Sequence, residues 1–387
     1  MRTFGKWLGR LLLTLIAAAI VVGVWKREEI ARLWAVNSLF SENKIVGNFS
    51  AMGDAFLTVP VSRGSGPVSE LPNGAPYDLP ADARNWLSER SVTSILVLDN
   101  GEIRYEKYLL GTAPEDLRIS WSIAKSYLSV LFGILVEDGQ IASLDDPVVK
   151  YAPDLKGSAY ETASIRDVLQ MSSGVTFDED YHDPDSDINR MGRVVALGGT
   201  LDDFTASFQD SFAAPGETWQ YVSIDTHVIG MVLRGATGRS IPDLLAEKVI
   251  APLGLESDGY YLTDGAGTAF VLGGLNFRSR DYARFGQMVA QEGSYEGAQI
   301  VSADWLEEST APSAATKPGR IGYGYQWWIP VDARPGEVLG RGVYGQYLYI
   351  DKERDIVIVL TAADRAFRAD GVNEANIEMF RRIADSL

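Results

Sequence analysis

The chain has no cysteine among its 387 residues, which removes disulfides, thiol nucleophiles and Cys-based metal sites together. Histidine is nearly as scarce. Only His182 and His227 occur, so a Ser-His-Asp triad has few ways to form, and no Gly-x-Ser-x-Gly elbow is present to carry one. His227 follows Tyr221 at an apparent helix entry and reads as a structural or surface residue. The His-Glu-x-x-His zinc signature is missing. Asp183, Asp185 and Asp187 imitate a calcium loop only in part, because Ile188 stands where glycine is needed and Val194 where the terminal glutamate is needed. That run reads as a solvated acidic loop. No Rossmann or Walker glycine pattern stands out, so neither metal nor cofactor is expected. Internal repeats and low-complexity tracts are also missing.

Positive charge is the remaining shortage: 35 Lys and Arg face 52 Asp and Glu, for a net charge of -17. No basic stripe exists to neutralise phosphates, which argues against nucleic acid as a partner. The basic residues that are present gather at one end. Residues 1–27 carry Arg2, Lys6, Arg10, Lys26 and Arg27 and no acid. Behind this lead runs Leu11-Leu-Leu-Thr-Leu-Ile-Ala-Ala-Ala-Ile-Val-Val-Gly-Val-Trp25, the shape of a signal anchor or signal peptide. As a helix, Trp7 to Trp25 measures about 28 Å, close to the roughly 30 Å of membrane hydrocarbon, and Arg10 can snorkel at its edge. Ala17-Ala-Ala19 lies inside the apolar run, so cleavage there leaves half of the run attached. The reading favours an uncleaved anchor at 1–27 over a secreted, cleaved form. The basic lead then stays in the cytoplasm and the large domain lies outside it, periplasmic or extracellular, with Lys26, Arg27 and Arg32 pulling against that orientation.

Residues 28–90 mix short apolar runs with Pro and Gly, as in Val59-Pro-Val-Ser-Arg-Gly-Ser-Gly-Pro67, and read as an irregular lead-in. From 91 to 387 one domain is expected. Ser94–Leu98 and Glu102–Tyr108 flank Asn100-Gly101, a hairpin turn signal, and Gln346–Ile350 with Ile356–Leu360 form a second hairpin. Helical patterns fall at 163–171, 225–237, 241–250, 280–291 and 373–386. Hairpins at both ends with helices between them predict an α+β fold, an antiparallel sheet flanked by helices with a mainly helical insertion at about 140–270.

Ser122-Ile-Ala-Lys125 opens an apolar helical pattern through Leu128, Leu131, Phe132, Leu135 and Val136. Residues three apart share a helix face, so a hydroxyl and an amine point into one pocket. The helix N-terminus favours negative charge there, which suits an alkoxide or acyl oxyanion. Lys125 serves as a base only while neutral, which requires burial or nearby positive charge. A bland alternative is that Ser122 merely caps a core helix. Ser41-Glu-Asn-Lys44 repeats the motif but has no apolar helix after it and reads as chance. Tyr221-Val-Ser223, at a loop-to-helix junction after Pro215–Gln220, adds a phenol and a second hydroxyl.

Together these residues resemble the serine beta-lactamase and penicillin-binding-protein-like hydrolase superfamily, closest to its class C-like esterase and 6-aminohexanoate-oligomer hydrolase branch. Ile165–Gly174, Gly273–Gly286 and Tyr323-Gly-Tyr-Gln-Trp-Trp328 are further family-like segments. The third motif departs. Gly340-Arg-Gly-Val-Tyr-Gly-Gln346 replaces Lys-Thr-Gly, leaving Arg341 as the substitute cation and putting beta-lactamase activity in doubt.

The resemblance implies Ser122 as nucleophile, Lys125 and Tyr221 as proton carriers, and the backbone N–H groups of Ser122 and Val343 as the oxyanion hole. It places Tyr181, Ser223, Trp219, Trp327, Trp328 and Tyr344 around the substrate, with no cofactor. The expected partner is a small-molecule ester or linear amide, and the membrane through the N-terminal helix; oligomeric state is left open. Two rival readings are a D-amino-acid peptidase or beta-lactamase on cell-wall-like substrates, and a catalytically silent membrane-anchored binding or sensor protein.

Overall fold

The computed structural model describes residues 2–387. The strands in chain order are β1 (Thr58–Val61), β2 (Val92–Asp99), β3 (Glu102–Tyr108), β4 (Arg118–Ile119), β5 (Gly259–Leu262), β6 (Leu275–Phe277), β7 (Ser294–Tyr295), β8 (Ala298–Gln299), β9 (Gly322–Tyr323), β10 (Trp328–Ile329), β11 (Glu337–Gly342), β12 (Gln346–Asp351) and β13 (Ile356–Ala362). Seven of them form an antiparallel sheet in the order β3-β2-β13-β12-β11-β10-β9. The two expected hairpins thus meet as neighbours through β2 and β13. Asn100 and Gly101 both take positive φ, 52° and 79°, as a two-residue hairpin turn requires.

Strand alternation divides the core into two layers. On one face Leu96, Leu98, Leu348, Ile350, Val357 and Val359 pack under the helix Ile123–Glu137 and its neighbours. On the other, Ile95, Val97, Tyr347, Tyr349, Ile358 and Leu360 meet Trp86 and the C-terminal helix Val372–Asp385. Helices therefore cover both sides of the sheet, an α+β arrangement. Between residues 140 and 258 the chain is helical and irregular, including the helices Asp187–Ala196 and Ser223–Thr237.

The segment 28–90 departs from expectation. It is not merely irregular: a stem helix, Arg27–Ser38, is followed by two short helical turns, and β1 pairs with β5 at the edge of a second sheet, β1-β5-β6-β4. Pro60 disguised that strand, yet an edge strand tolerates proline because one side of it makes no ladder. The apolar helix Arg2–Trp25 runs into the stem with hydrogen bonds across the junction, Lys26 N–H to Val22 O at 2.8 Å and Ile30 N–H to Lys26 O at 2.9 Å. Its Lys6–Trp25 portion, 20 residues, is long and apolar enough to cross a membrane and is not buried against the body.

Candidate active site

Strand β4 delivers the chain to the nucleophile candidate. Ser120 N–H bonds Leu275 O of β6 at 2.8 Å, Trp121 turns through φ 43°, and Ser122 is the N-cap of the helix Ile123–Glu137. A non-glycine residue at positive φ costs ~1–3 kcal/mol and persists only where its surroundings hold it. Here Phe40 and Phe49 grip the Trp121 ring at centroid distances of 5.7 and 5.5 Å. Ser122 makes no side-chain cap bond to its helix, so capping does not account for its hydroxyl. It lies beside the Tyr221 phenol and lowers that group's pKa.

Lys125, one turn on, is almost wholly buried and donates from Nζ to Leu272 O at 2.6 Å. Burial lowers its pKa to about 7, against the opposing pull of Glu179 and Asp225. The ammonium sits 5.6 Å from the centre of the Tyr221 ring. Burial drives Tyr221 the other way, well above the ordinary phenol range; Glu179 adds to this, while Ser122, Arg341 and Ser223 offset part of it. Near pH 7 a substantial share of Lys125 is thus neutral, and Tyr221 stays protonated.

Tyr221 is set by the loop before the helix Ser223–Thr237. Gln220 N–H reaches Met171 O at 3.1 Å, and the Tyr221 ring stacks on Trp328 with centroids 4.9 Å apart. Strand β11 closes the site from the other side. Gly342 comes so close that a Cβ there meets Ser120 O at 2.7 Å, Trp121 Cβ at 2.9 Å and Ser122 N at 3.0 Å. Only glycine allows that approach, which brings Val343 beside Ser122. Among the described residues neither the Ser122 nor the Val343 N–H donates a backbone hydrogen bond.

Glu179 is the residue the sequence reading passed over. Its carboxylate accepts from Ser223 N–H at 2.8 Å, from Ser223 Oγ at 2.5 Å and from the Tyr181 hydroxyl at 2.9 Å. It ties the Tyr181 loop to the Tyr221-Val-Ser223 turn. A carboxylate two residues before Tyr181 was the available signal, but only the tertiary fold reveals its partners.

The aromatic residues sort themselves less uniformly than expected. Tyr181 and Trp328 line the site, together with Arg341, which lies 5.2 Å above the Trp328 ring. Trp327 is a correction: it is fully buried, parallel to Phe285, and belongs to the core. Consecutive residues of an extended chain point to opposite sides, so Trp328 at the site places Trp327 away from it. Tyr344 is a second correction. At φ 59° it turns into an aromatic cluster, stacking on Phe40 at 4.5 Å and near Phe367 at 4.7 Å, and lines neither cavity beside Ser122. Trp219 packs against Tyr323 and Trp328 and borders an adjoining surface hollow that shares Arg341 and Arg368 with the site. His227 is buried and bound through Nε2 to Asp202 at 2.7 Å, a structural pairing. Among the described residues no group of three or more acidic or histidine side chains is arranged to hold a metal.

Two cavities meet at Ser122. One is lined by Glu179, Tyr181, Tyr221, Trp328, Arg341 and Arg368. The other, about 120 Å³, runs between the stem and the helix Asp187–Ala196.

Such a fold, with a serine at a helix N-terminus above a buried lysine, defines a serine hydrolase. The chain belongs to the Beta-lactamase family, whose model matches residues 87–378. It is 32% identical over 330 residues to a 6-aminohexanoate-dimer hydrolase of Paenarthrobacter ureafaciens, covering 80% of this chain and 83% of that one. Among solved structures, a Bacillus anthracis protein provisionally named a 6-aminohexanoate-dimer hydrolase superposes with a TM-score of 0.79 at 23% identity, over 89% of this chain and 95% of that one. An octameric penicillin-binding protein homologue from Pyrococcus abyssi gives a TM-score of 0.60 at 22% identity, over 77% and 76%. These two likenesses show the fold.

Proposed function

We propose that this protein hydrolyses linear amides or carboxylic esters through an acyl-enzyme on Ser122. The observation that carries the reading is Lys125, buried beneath Ser122 with its pKa lowered to about 7, beside a tyrosine that burial keeps protonated. Ser122 Oγ attacks the carbonyl carbon, and its proton passes to neutral Lys125, with Tyr221 between the serine and the leaving group. The carbonyl oxygen, now an anion, is received by the N–H groups of Ser122 and Val343; losing one such donor costs about 3–4 kcal/mol in comparable sites. Collapse breaks the C–N or C–O bond while the Tyr221 hydroxyl gives its proton to the leaving amine or alcohol and regains one from Lys125. Water then repeats the sequence on the ester and releases the acid.

Tyr221 lines the cavity that contains Arg341 and Arg368 and does not line the apolar one. A proton donor belongs on the leaving-group side, so the leaving group lies toward the two arginines. Among the described residues neither arginine forms an ion pair with a carboxylate of the chain. This favours a leaving group that bears an anion. The relative named for an aminohexanoate dimer fits a linear amide of that kind. The Lys6–Trp25 helix supports an anchored enzyme with its catalytic domain outside the cytoplasm.

The test is intact-mass spectrometry after exposure to a fluorophosphonate. One adduct on the wild type and none on folded Ser122→Ala is the expected result; no adduct on either overturns the assignment.

A further inference from the structure

The second cavity at Ser122 has a composition unlike that of the arginine side. No charged side chain lines it; its walls include Val36, Leu39 and Phe40 from the stem and Ile188, Met191 and Val195 from the helix Asp187–Ala196. An open cavity so apolar binds by burying hydrocarbon. It reaches the nucleophile itself, because Ser122, Trp121 and Val343 form its inner end.

Its outer wall comes from the part of the chain that precedes the family match at 87–378. The stem is held in place by Arg32 Nε, which donates to Ala196 O at 2.9 Å, and by Asn48 Nδ2, which donates to Leu39 O at 2.8 Å where the chain turns back. The same stem continues the apolar Lys6–Trp25 helix. Exposed apolar side chains mark the connection: Trp25, Ile30 and Trp34 along the helices, and Leu197 where the stem packs. A helix long and apolar enough to cross a membrane, its stem and the apolar wall of the site are thus consecutive pieces of one chain.

Building on the hydrolase reading above, we propose that this cavity holds the hydrocarbon chain of the acyl group, so that the substrates are medium- to long-chain acyl amides or esters drawn from the membrane to which the enzyme is tethered. The acyl side is assigned because Tyr221 occupies the other side, where the leaving group must take its proton. The whole substrate is then an amphiphile, an apolar acyl chain joined through the scissile bond to an anionic amine or alcohol. Ser122 forms the acyl ester, the leaving group departs with its proton, and water releases a fatty acid.

Gly192 supplies a clean test. It lies on the cavity wall, and a Cβ there meets only Val36 Cγ1, at 4.0 Å. Gly192→Leu therefore fills the cavity without a backbone clash, while replacing glycine with a better helix former. Full-length enzyme in lipid nanodiscs is assayed on 4-nitrophenyl esters from acetate to decanoate, with Ser122→Ala, Gly192→Leu and Val36→Trp in parallel. In the wild type each methylene lodged in the cavity raises kcat/KM by up to about fourfold. Both cavity variants lower the decanoate-to-acetate ratio at least about tenfold. A flat or falling chain-length series in a wild type whose acetate turnover depends on Ser122 overturns the acyl-chain site and leaves the hydrolase standing. Retention of the wild-type ratio by both filled variants overturns the acyl-chain site in the same way. Absence of turnover and of a Ser122 adduct overturns the hydrolase reading and this inference with it.

Discussion

On one side of Ser122 the wall carries Glu179, Arg341 and Arg368; on the other it carries no charged side chain. The polar side comes wholly from within the family-matched body, whereas the apolar side borrows its outer wall from the stem and the turns at 36–56. On the proposed function and the inferred acyl-chain site, one chain joins a site for bond breaking, assembled from distant segments, to a site for hydrocarbon, supplied by the piece next to the apolar N-terminal helix. The comparison teaches that reactivity and acyl preference are separable by mutation. Changes on the polar side and at the nucleophile should affect all substrates alike, and changes on the apolar side should affect them by chain length.

The largest effect is expected at the junction. Ser122→Ala should lower kcat by about 10⁴–10⁶-fold on every substrate and leave thermal unfolding close to wild type, since its side chain makes no cap bond. Lys125 gives the next test. With its pKa near 7, activity should rise as pH increases toward 7 and level off above it, because only the neutral amine accepts a proton. Lys125→Arg cannot become neutral and should lose about 10²–10⁴-fold across the profile. Glu179 contributes more than Asp225 to holding the Lys125 pKa up, so Glu179→Gln should move the rising limb to lower pH. A limb that stays in place breaks the assignment of that limb to Lys125.

Stability should also rise with pH for the same lysine, but above the limb that activity follows. The folded pKa lies below the ordinary lysine value, so the unfolded chain binds more protons between about 7 and 10.5. The cost to folding is full below about 7 and fades as pH rises through that window. Lys125→Met should accordingly be the more stable protein at neutral pH, by roughly 1–4 kcal/mol, with the gap to wild type closing toward pH 10. Calorimetry at pH 7 and pH 10 measures it.

What could be read directly was local. Ser122 and Lys125 share a helix face by spacing alone, and Asn100-Gly101 announces its turn chemically. Glu179 was invisible because its three donors lie on Tyr181 and Ser223, the latter 44 residues away. Trp327 and Trp328 were indistinguishable as residue types; only the placement of β10 in the sheet decides which ring reaches the site. The stem escaped notice because its apolar residues serve a cavity wall and not a core stripe: none of Arg27–Ser38 is fully buried.

Gly342 carries a smaller prediction that sharpens the contrast. Gly342→Ala forces its methyl against Ser120 O, Trp121 Cβ and Ser122 N, and overpacking of this kind costs about 1–3 kcal/mol. Displacing Val343 should reduce turnover of acetate and decanoate esters by the same factor, because the oxyanion position is common to both. Gly192→Leu should do the reverse in both respects. It removes a glycine from a helix interior and adds apolar contact with Val36, so unfolding should shift in the stabilising direction by about 0.5–1 kcal/mol, while discrimination by chain length falls. If instead Gly342→Ala discriminated by chain length and Gly192→Leu did not, the two sides of Ser122 would have to exchange roles, with the acyl group beneath Arg341 and the leaving group against the stem.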